Sequence, residues 1–261
     1  MLRKNHLIIF GVSPLVVIGL TMIWFHWSRA VFIAASRNDM ISIRRYLSDG
    51  GDPNVRATPP NDWYHGSRSL LSWAVRKNAP GTAGLILRSD RFLMPILDFS
   101  HPVFDAIAQD NSDTVALFMR HGLRPESKRA ARYGETREVS IILEALHQQK
   151  WVAVRGMLPF LKKPVDWGVI LCCSQWRDPS EERVLTIELM LQMGMSPDIR
   201  ICGERSLLSL AAEHDDILLA RSLLRFGANP RLSDADDKSP LMHIQTASPN
   251  AAELKDALNV R

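Results

Sequence analysis

The feature that most constrains this chain is a glycine that recurs after runs rich in leucine and methionine. The four glycines are Gly50, Gly122, Gly194 and Gly227. Their successive separations are 72, 72 and 33 residues. Glycine commonly ends a helix, because it adopts the left-handed backbone conformation without steric cost. Helix ends that recur at related intervals predict tandem helical repeats, in which each unit buries its apolar faces against its neighbours.

The two longer intervals each have room for one further, degenerate unit. Ser69–Asp90 repeats the Ser-Leu-Leu-Ser-x-Ala pattern that precedes Gly227, and Asp90 takes the place of the closing glycine. Val139–Lys163 is a second such unit, with Leu161 at the glycine position. We therefore expect an all-α stack of about five to six helix-pair units, followed by a partial unit at 238–258.

The stretch Ser206–Pro230, SLLSLAAEHDDILLARSLLRFGANP, resembles an ankyrin repeat nearly throughout. Ser239-Pro240-Leu241 is similar to the Thr-Pro-Leu of that family's first helix. The resemblance runs from about Arg29 to the C-terminus and implies an ankyrin-repeat solenoid with short hairpin fingers. No unit has the full Thr-Pro-Leu-His tetrad, since Ser209 and Met242 stand at the histidine position.

An uncharged apolar segment, Leu7–Phe25, precedes the repeats. Its 19 residues would extend roughly 28 Å as a helix, close to the hydrocarbon thickness of a bilayer. A cleaved signal peptide is the alternative, but the following FHWSRA is bulky and basic, whereas cleavage sites favour small residues. We therefore expect a single transmembrane helix, with a tail and anchor at 1–28 and an ankyrin-repeat domain at 29–261.

The orientation of this anchor depends on two opposing signals. Arg29, Arg37, Arg44 and Arg45 follow the segment, and a simple charge count would keep them inside. Large domains translocate largely regardless of charge, however, while the short tail with Arg3 and Lys4 resists crossing. The prediction is a bacterial inner-membrane protein whose repeat domain lies on the periplasmic side.

Composition and motifs argue against nucleic acid and catalysis. The net charge is +4, and two of those charges lie in the N-terminal tail. This excess is too small to indicate a nucleic-acid partner. No metal-ligand or nucleophile motif is present, and 233–239, SDADDKS, lacks the central glycine and the distal glutamate of a calcium loop. We expect no enzyme activity, no cofactor and no small-molecule substrate.

The three cysteines do not define a site. Cys172 and Cys173 are adjacent, a spacing that suits neither a redox pair nor a zinc site. We expect them to be small buried residues, with a disulfide to Cys202 as the alternative.

Two insertions exceed what the repeat requires. Residues 56–68 lengthen the first hairpin finger and place Trp63, Tyr64 and His65 near its tip. Residues 174–183 separate the two helices of one unit and contain Trp176 and Arg177. These five side chains are the predicted partner-binding candidates, because aromatic and arginine side chains dominate protein interfaces. The alternative is that each tryptophan packs back onto its repeat, or that Trp63 packs near the membrane surface.

The resemblance implies a protein partner, bound through the concave face and the finger loops. A second hypothesis is an immunity or inhibitor protein that neutralises a toxin or enzyme near the membrane. It would use the same surface, so the sequence leaves both open.

Overall fold

The computed structural model describes residues 30–57, 68–95, 101–129, 139–172, 176, 179–201, 205–245 and 249–259. Within it the chain divides into two compact units, Met1–Leu93 and Met94–Arg261. Both consist of paired antiparallel helices joined by tight turns. The predicted domain boundary after residue 28 lies outside the described residues and stays a prediction.

The N-terminal unit contains two helix pairs separated by a hairpin. Its elements, in chain order, are α1 (described from residue 30 to residue 36), α2 (Met40–Ser48), β1 (Arg56–Ala57), β2 (Arg68–Ser69), α3 (Leu70–Arg76) and α4 (Pro80–Leu87). Strand β1 pairs with β2 in antiparallel register, Arg56 opposite Ser69. Helix α2 packs against α4. The second helices of the two pairs therefore stack, as the repeat pattern predicts.

The C-terminal unit contains the remaining pairs and two further hairpins. Its elements are α5 (Pro102–Ala108), α6 (Ser112–Arg120), β3 (Lys128–Arg129), β4 (Val139–Ser140), α7 (Ile141–His147), α8 (Trp151–Met157), a 3-10 turn (Leu158–Phe160), α9 (Trp167–Cys172), α10 (Glu181–Gln192), β5 (Arg200–Ile201), β6 (Arg205–Ser206), α11 (Leu207–Glu213), α12 (Ile217–Arg225), a second 3-10 turn (Pro240–His243) and α13 (Ala251–Asn259). The second helices α6, α8, α10 and α12 stack in sequence, and α13 covers α12.

Serine hydroxyls begin three of the first helices. Ser69, Ser140 and Ser206 each accept a hydrogen bond from a backbone amide three residues later, at the start of α3, α7 and α11. Such a cap satisfies an amide that the helix itself leaves unpaired. Serine is among the residues preferred at this position, and the repeated Ser-Leu-Leu-Ser-x-Ala pattern accordingly begins with the caps Ser69 and Ser206.

The four recurring glycines have the predicted backbone conformation. Their φ angles are +91° at Gly50, +99° at Gly122 and Gly194, and +90° at Gly227. The two degenerate units end differently. Helix α4 ends at Leu87, and its C-cap is Arg88, so Asp90 lies beyond the position that glycine takes elsewhere. Helix α8 continues into a 3-10 turn that ends at Leu161 in an extended conformation.

A second recurring feature lies at the turn between the two helices of a pair. Five polar residues there have φ between 52° and 57°: Asn38, Asn78, Asp110, Gln149 and Asp215. Asparagine and aspartate tolerate this left-handed region better than other residues with a side chain. The turn thus reverses the chain without a glycine.

The core is apolar and nearly closed to solvent. Phe118, Ile142, Met157 and Leu207 are fully buried between stacked helices of the C-terminal unit. On α12 the buried side chains are Leu219, Ala220, Ser222 and Leu223. Helical spacing in the sequence predicts an apolar face of Ile217, Ala220, Leu223 and Leu224, but Ile217 and Leu224 are only half-buried and Leu219 is buried instead. Helix α12 packs against α10, α11 and α13.

Among the residues described, no helix is both long and apolar enough to cross a bilayer. The segment Leu7–Phe25 lies outside them.

Candidate interaction surface

The first hairpin closes around the insertion at 56–68, as predicted. Ala57 pairs with Arg68 at the base of the finger. Residues 58–67, which include Trp63, Tyr64 and His65, lie outside the described residues. Their role as partner-binding side chains stays a prediction.

Trp176, in the second insertion, contacts both the preceding repeat and its own. Its ring lies 6.3 Å from that of Trp151 on α8, centroid to centroid, and the planes are tilted by 49°. The guanidinium carbon of Arg183 lies 5.4 Å from the Trp176 ring centroid, within the range of a cation–π contact. Trp176 is half-buried, so only part of its ring is open to a partner. Arg177 lies outside the described residues.

Arg183 is the charged end of this cluster. Its guanidinium forms a hydrogen-bonded ion pair with Asp216 at the start of α12, and both side chains are 1% exposed. Asp216 also accepts a hydrogen bond from the Leu219 amide at 3.0 Å and so caps α12. Trp151, Trp176, Arg183 and Asp216 thus connect three successive repeats. Their burial makes them structural residues of the C-terminal unit.

Several apolar side chains on the first helices of the C-terminal unit are partly exposed. Val169 on α9 is 60% exposed, and Met242 in the second 3-10 turn is 69% exposed. The other members are half-buried: Phe104, Leu143 and Leu210. Helix α5 contacts α7, α7 contacts α9, and α11 contacts the second 3-10 turn. We call these five side chains and the carboxylates beside them the first-helix face.

The carboxylates of the first-helix face are Asp105, Glu144 and Glu213, all half-buried. Glu144 accepts a hydrogen bond from the Gln148 amide at 2.7 Å. Glu213 pairs with Arg205 at 2.5 Å. Apolar side chains flanked by partly exposed carboxylates suit a protein partner that offers apolar and basic groups.

The loop at 233–239 is a turn built around one aspartate. Asp234 Oδ1 accepts hydrogen bonds from the amides of Asp236 and Lys238, both at 2.9 Å. Its Oδ2 lies 2.6 Å from His243 Nε2. The Lys238 amide, and to a lesser extent His243 and the Asp236 amide, hold the pKa of the Asp234 carboxyl below its ordinary value. Within the described part of the chain, no cluster of histidine, cysteine and carboxylate side chains could hold a metal ion.

Cys172 differs from its prediction. It is exposed and disulfide-bonded, so the expectation of a small buried residue is wrong for Cys172 and the alternative, a disulfide, is observed. Helix α9 buries Trp167 and Leu171, which share one face because they are four residues apart, and the next residue falls on another face. The only other cysteines are Cys173 and Cys202, both outside the described residues, and α9 packs against β5, which ends one residue before Cys202.

Sequence reasoning missed the polar contacts that join one repeat to the next. They include the Arg183–Asp216 pair and the side chains of Asn38 and Asp110, which bond to amides of the following repeat. One signal was present: an asparagine, aspartate or glutamine recurs where five of the first helices end. This polar residue matters because its backbone has a positive φ, and φ cannot be read directly from the sequence.

The ankyrin-repeat fold is defined by paired helices, by glycines with positive φ at helix ends, and by hairpins between the pairs. Solved structures share this fold. The human ASB11 ankyrin repeat domain is 18% identical and aligns with a TM-score of 0.54, covering 87% of this chain and 95% of that chain. The ankyrin repeat domain of Bcl-3, a member of the IkappaB protein family, is 15% identical with a TM-score of 0.51, covering 88% and 97%. No protein-family profile and no curated protein matches the sequence. The likeness shows the fold.

Proposed function

We propose that this chain is a membrane-anchored ankyrin-repeat protein that binds a protein partner through the first-helix face and the finger loops. The observation that carries the proposal is the exposure of Val169 and Met242, at 60% and 69%, on a face flanked by carboxylates. Clustered exposed apolar side chains rimmed by polar groups are typical of interaction sites. The structural neighbours are repeat domains as well, a fold that presents extended binding surfaces.

Catalysis has little support from the described residues. Several of their buried polar side chains serve as helix caps or as contacts between repeats, as Ser206, Thr186 and Asp216 do. An interaction role needs no such group, because a rigid surface binds by shape and by complementary charge.

The Leu7–Phe25 segment supports the proposed membrane anchor, and the disulfide at Cys172 supports the periplasmic location of the repeat domain. Disulfides persist in oxidising compartments such as the bacterial periplasm and are rare in the cytosol. A disulfide at an exposed helix end is therefore consistent with a repeat domain on the periplasmic side of the inner membrane. Inhibition of a toxin or enzyme at the membrane remains the alternative and would use the same surface.

Photo-crosslinking in membranes tests the binding surface. A photoreactive phenylalanine at position 242 or 169 should capture one discrete partner, whereas the same residue at exposed Lys255 on α13 should not. Met242→Glu should abolish the capture from position 169. Leu218→Glu is the matched control, because Leu218 is 45% exposed but lies on a second helix. Equal capture from positions 242 and 255, or none from 242 and 169, contradicts the proposal.

Carbonate extraction and a C-terminal export reporter test the anchor and its orientation. The full chain should remain in the membrane pellet, and the reporter should score as exported. Release into the supernatant would disprove the anchor. Retention with an inactive export reporter would reverse the orientation and leave the anchor intact.

A further inference from the structure

The two units differ sharply in charge. In the described residues of the N-terminal unit, nine arginine and lysine side chains stand against four aspartates, a net charge of +5. In those of the C-terminal unit, 16 basic side chains stand against 18 acidic ones, a net charge of −2. The small excess over the whole chain therefore conceals a strongly basic unit. It is the unit that directly follows the apolar segment Leu7–Phe25.

Several of these charges gather where α2 and α4 end. Arg44 of α2 and, after α4, Arg88 and Arg91 line a groove of about 630 Å³. Arg45, the next residue of α2, lines the groove between α1 and α2; its side chain is 84% exposed and lies 3.7 Å from the Asp49 carboxylate. We call this surface, formed by Arg44, Arg45, Arg88 and Arg91, the arginine end.

Two of the arginines are held in place by backbone carbonyls. Arg91 donates to the carbonyl oxygens of Leu47, Gly50 and Gly51 at 2.8 to 3.0 Å. Its charge compensates the negative end of the α2 dipole. Arg88 Nε donates to the Gly84 carbonyl at 3.0 Å. Arginines positioned in this way lose little further entropy when an anion binds.

The chain enters the N-terminal unit at the same end. Helices α1 and α2 are antiparallel, so residue 30 lies beside the residues that end α2. The two helices share a groove of about 640 Å³, which Ala30, Tyr46 and Asp49 help to line. In the sequence only residues 26–29 separate Phe25 from that point. Four residues span at most about 14 Å when fully extended.

We propose that the arginine end binds the anionic phospholipid headgroups of the bilayer in which Leu7–Phe25 is anchored. The inference rests on the proposed anchor and adds the lipid class that the domain contacts. Asp49 and Asp90 also lie at the arginine end, but the four arginines outnumber them and the net charge of this surface is positive. Basic side chains held within a Debye length of an anionic membrane surface are attracted to it.

The test uses the full chain in nanodiscs of phosphatidylcholine, with and without roughly 30% phosphatidylglycerol, a typical anionic lipid. Hydrogen–deuterium exchange is compared for peptides that cover 44–49 and 85–91. Exchange should be about fivefold slower in the anionic discs, the factor expected for one or more basic contacts with the surface. Raising the salt concentration should remove the difference.

Variants identify the side chains responsible. Arg44→Glu with Arg45→Glu should abolish the slower exchange, since both side chains are exposed. Lys162→Glu with Lys255→Glu makes the same charge change at exposed positions of the C-terminal unit and should retain it. If the glutamates impair folding, Arg44→Gln with Arg45→Gln should still weaken the effect. The inference is overturned if the exchange rate is the same in both lipid compositions, or if the two double variants change the exchange difference equally.

The anchor and the headgroup contact fail in different ways. A chain that does not enter the discs disproves the anchor, and the inference falls with it. A chain that enters the discs but exchanges equally in both lipids disproves the headgroup contact alone.

Discussion

The carboxylate of Asp110 accepts a hydrogen bond from the backbone amide of Ala153, 43 residues further along the chain, at 2.8 Å. Ala153 lies in the first turn of α8, whose own N-cap residue, Lys150, provides no side-chain acceptor. Asp110, at the turn between α5 and α6, therefore caps a helix of the following repeat. The contact couples a local turn to the stacking of two repeats.

The same arrangement occurs in the N-terminal unit. Asn38 Oδ1 accepts a hydrogen bond from the Thr82 amide at 3.0 Å, in the first turn of α4. The N-cap residue of α4 is Ala79, which has no acceptor of its own. Helices α2, α6 and α12 instead have their own aspartate or asparagine caps. Two helices that lack a capping residue thus receive the cap from the preceding repeat.

Substitutions at Asp110 test this cap. Asp110→Gly keeps a residue that tolerates φ of 53° but removes the acceptor, so the free energy of unfolding should fall by about 1 kcal/mol. Asp110→Asn retains an acceptor oxygen and should lose much less. Chemical denaturation measures both. If the glycine and asparagine variants are equally stable, the carboxylate does not cap α8.

The glycine after α12 supports a second prediction. A Cβ on Gly227 would meet nothing within 4 Å, so only its φ of +90° resists substitution. Gly227→Ala should cost about 1 kcal/mol, Gly227→Asn less, and Gly227→Val more, because β-branched residues are least tolerant of positive φ. The order of the three melting temperatures is the measurement. An unchanged melting temperature in the valine variant would contradict the assigned helix end.

Gly156 is required for a different reason. A Cβ there would lie 2.4 Å from the Ser112 carbonyl oxygen, where α8 approaches the start of α6. Gly156→Ala should therefore destabilise the C-terminal unit by about 1–3 kcal/mol, through overpacking. Gly168→Ala is the control, since its nearest contact is 3.1 Å and the cost should be smaller. Calorimetric melting of both variants distinguishes the two costs.

The buried Arg183–Asp216 pair leads to a fourth prediction. Arg183→Met leaves the Asp216 carboxylate buried without its cation and should cost about 3–5 kcal/mol. Adding Asp216→Ser removes the unpaired charge while keeping a helix cap, so the double variant should recover much of that loss. Denaturant titration of the single and double variants completes the cycle. A double variant no more stable than Arg183→Met would show that charge is not the cause.

Lowering the pH should destabilise the fold by protonating the carboxyl of Asp234. The Lys238 amide, with His243 and Asp236, lowers the pKa of this carboxyl. A lowered carboxyl pKa stabilises the fold above the unfolded-state value, near pH 4, and that contribution disappears as pH falls through the folded-state value. The wild type should therefore lose stability more steeply than Asp234→Asn below about pH 4. Parallel acid profiles for the two proteins would refute the assignment.

Much of the architecture was predictable because its signals are local. The four glycines predicted the ends of α2, α6, α10 and α12, since only positive φ fits there. The repeated serines predicted the starts of α3 and α11. The base of the first finger followed from the length of the insertion between two units.

The contacts between repeats were not predictable in the same way. The sequence did not show that Asp110 reaches Ala153, because hydrogen-bonding partners 43 residues apart depend on how two helix pairs stack. Nothing in the residues next to Arg183 indicated that its side chain is 1% exposed against Asp216. Burial of a charge depends on the neighbouring helices that exclude water.

The same distinction between local signals and contacts made by packing applies to the candidate interaction surface. Tryptophans in insertions were visible as partner-binding candidates, but whether Trp176 faces solvent or Trp151 depends on packing. Helix periodicity, caps and chain reversals were readable because each involves residues within a few positions of one another. Stacking selects which of those residues are buried, which reach the next repeat and which remain exposed, because it brings together groups that are distant along the chain.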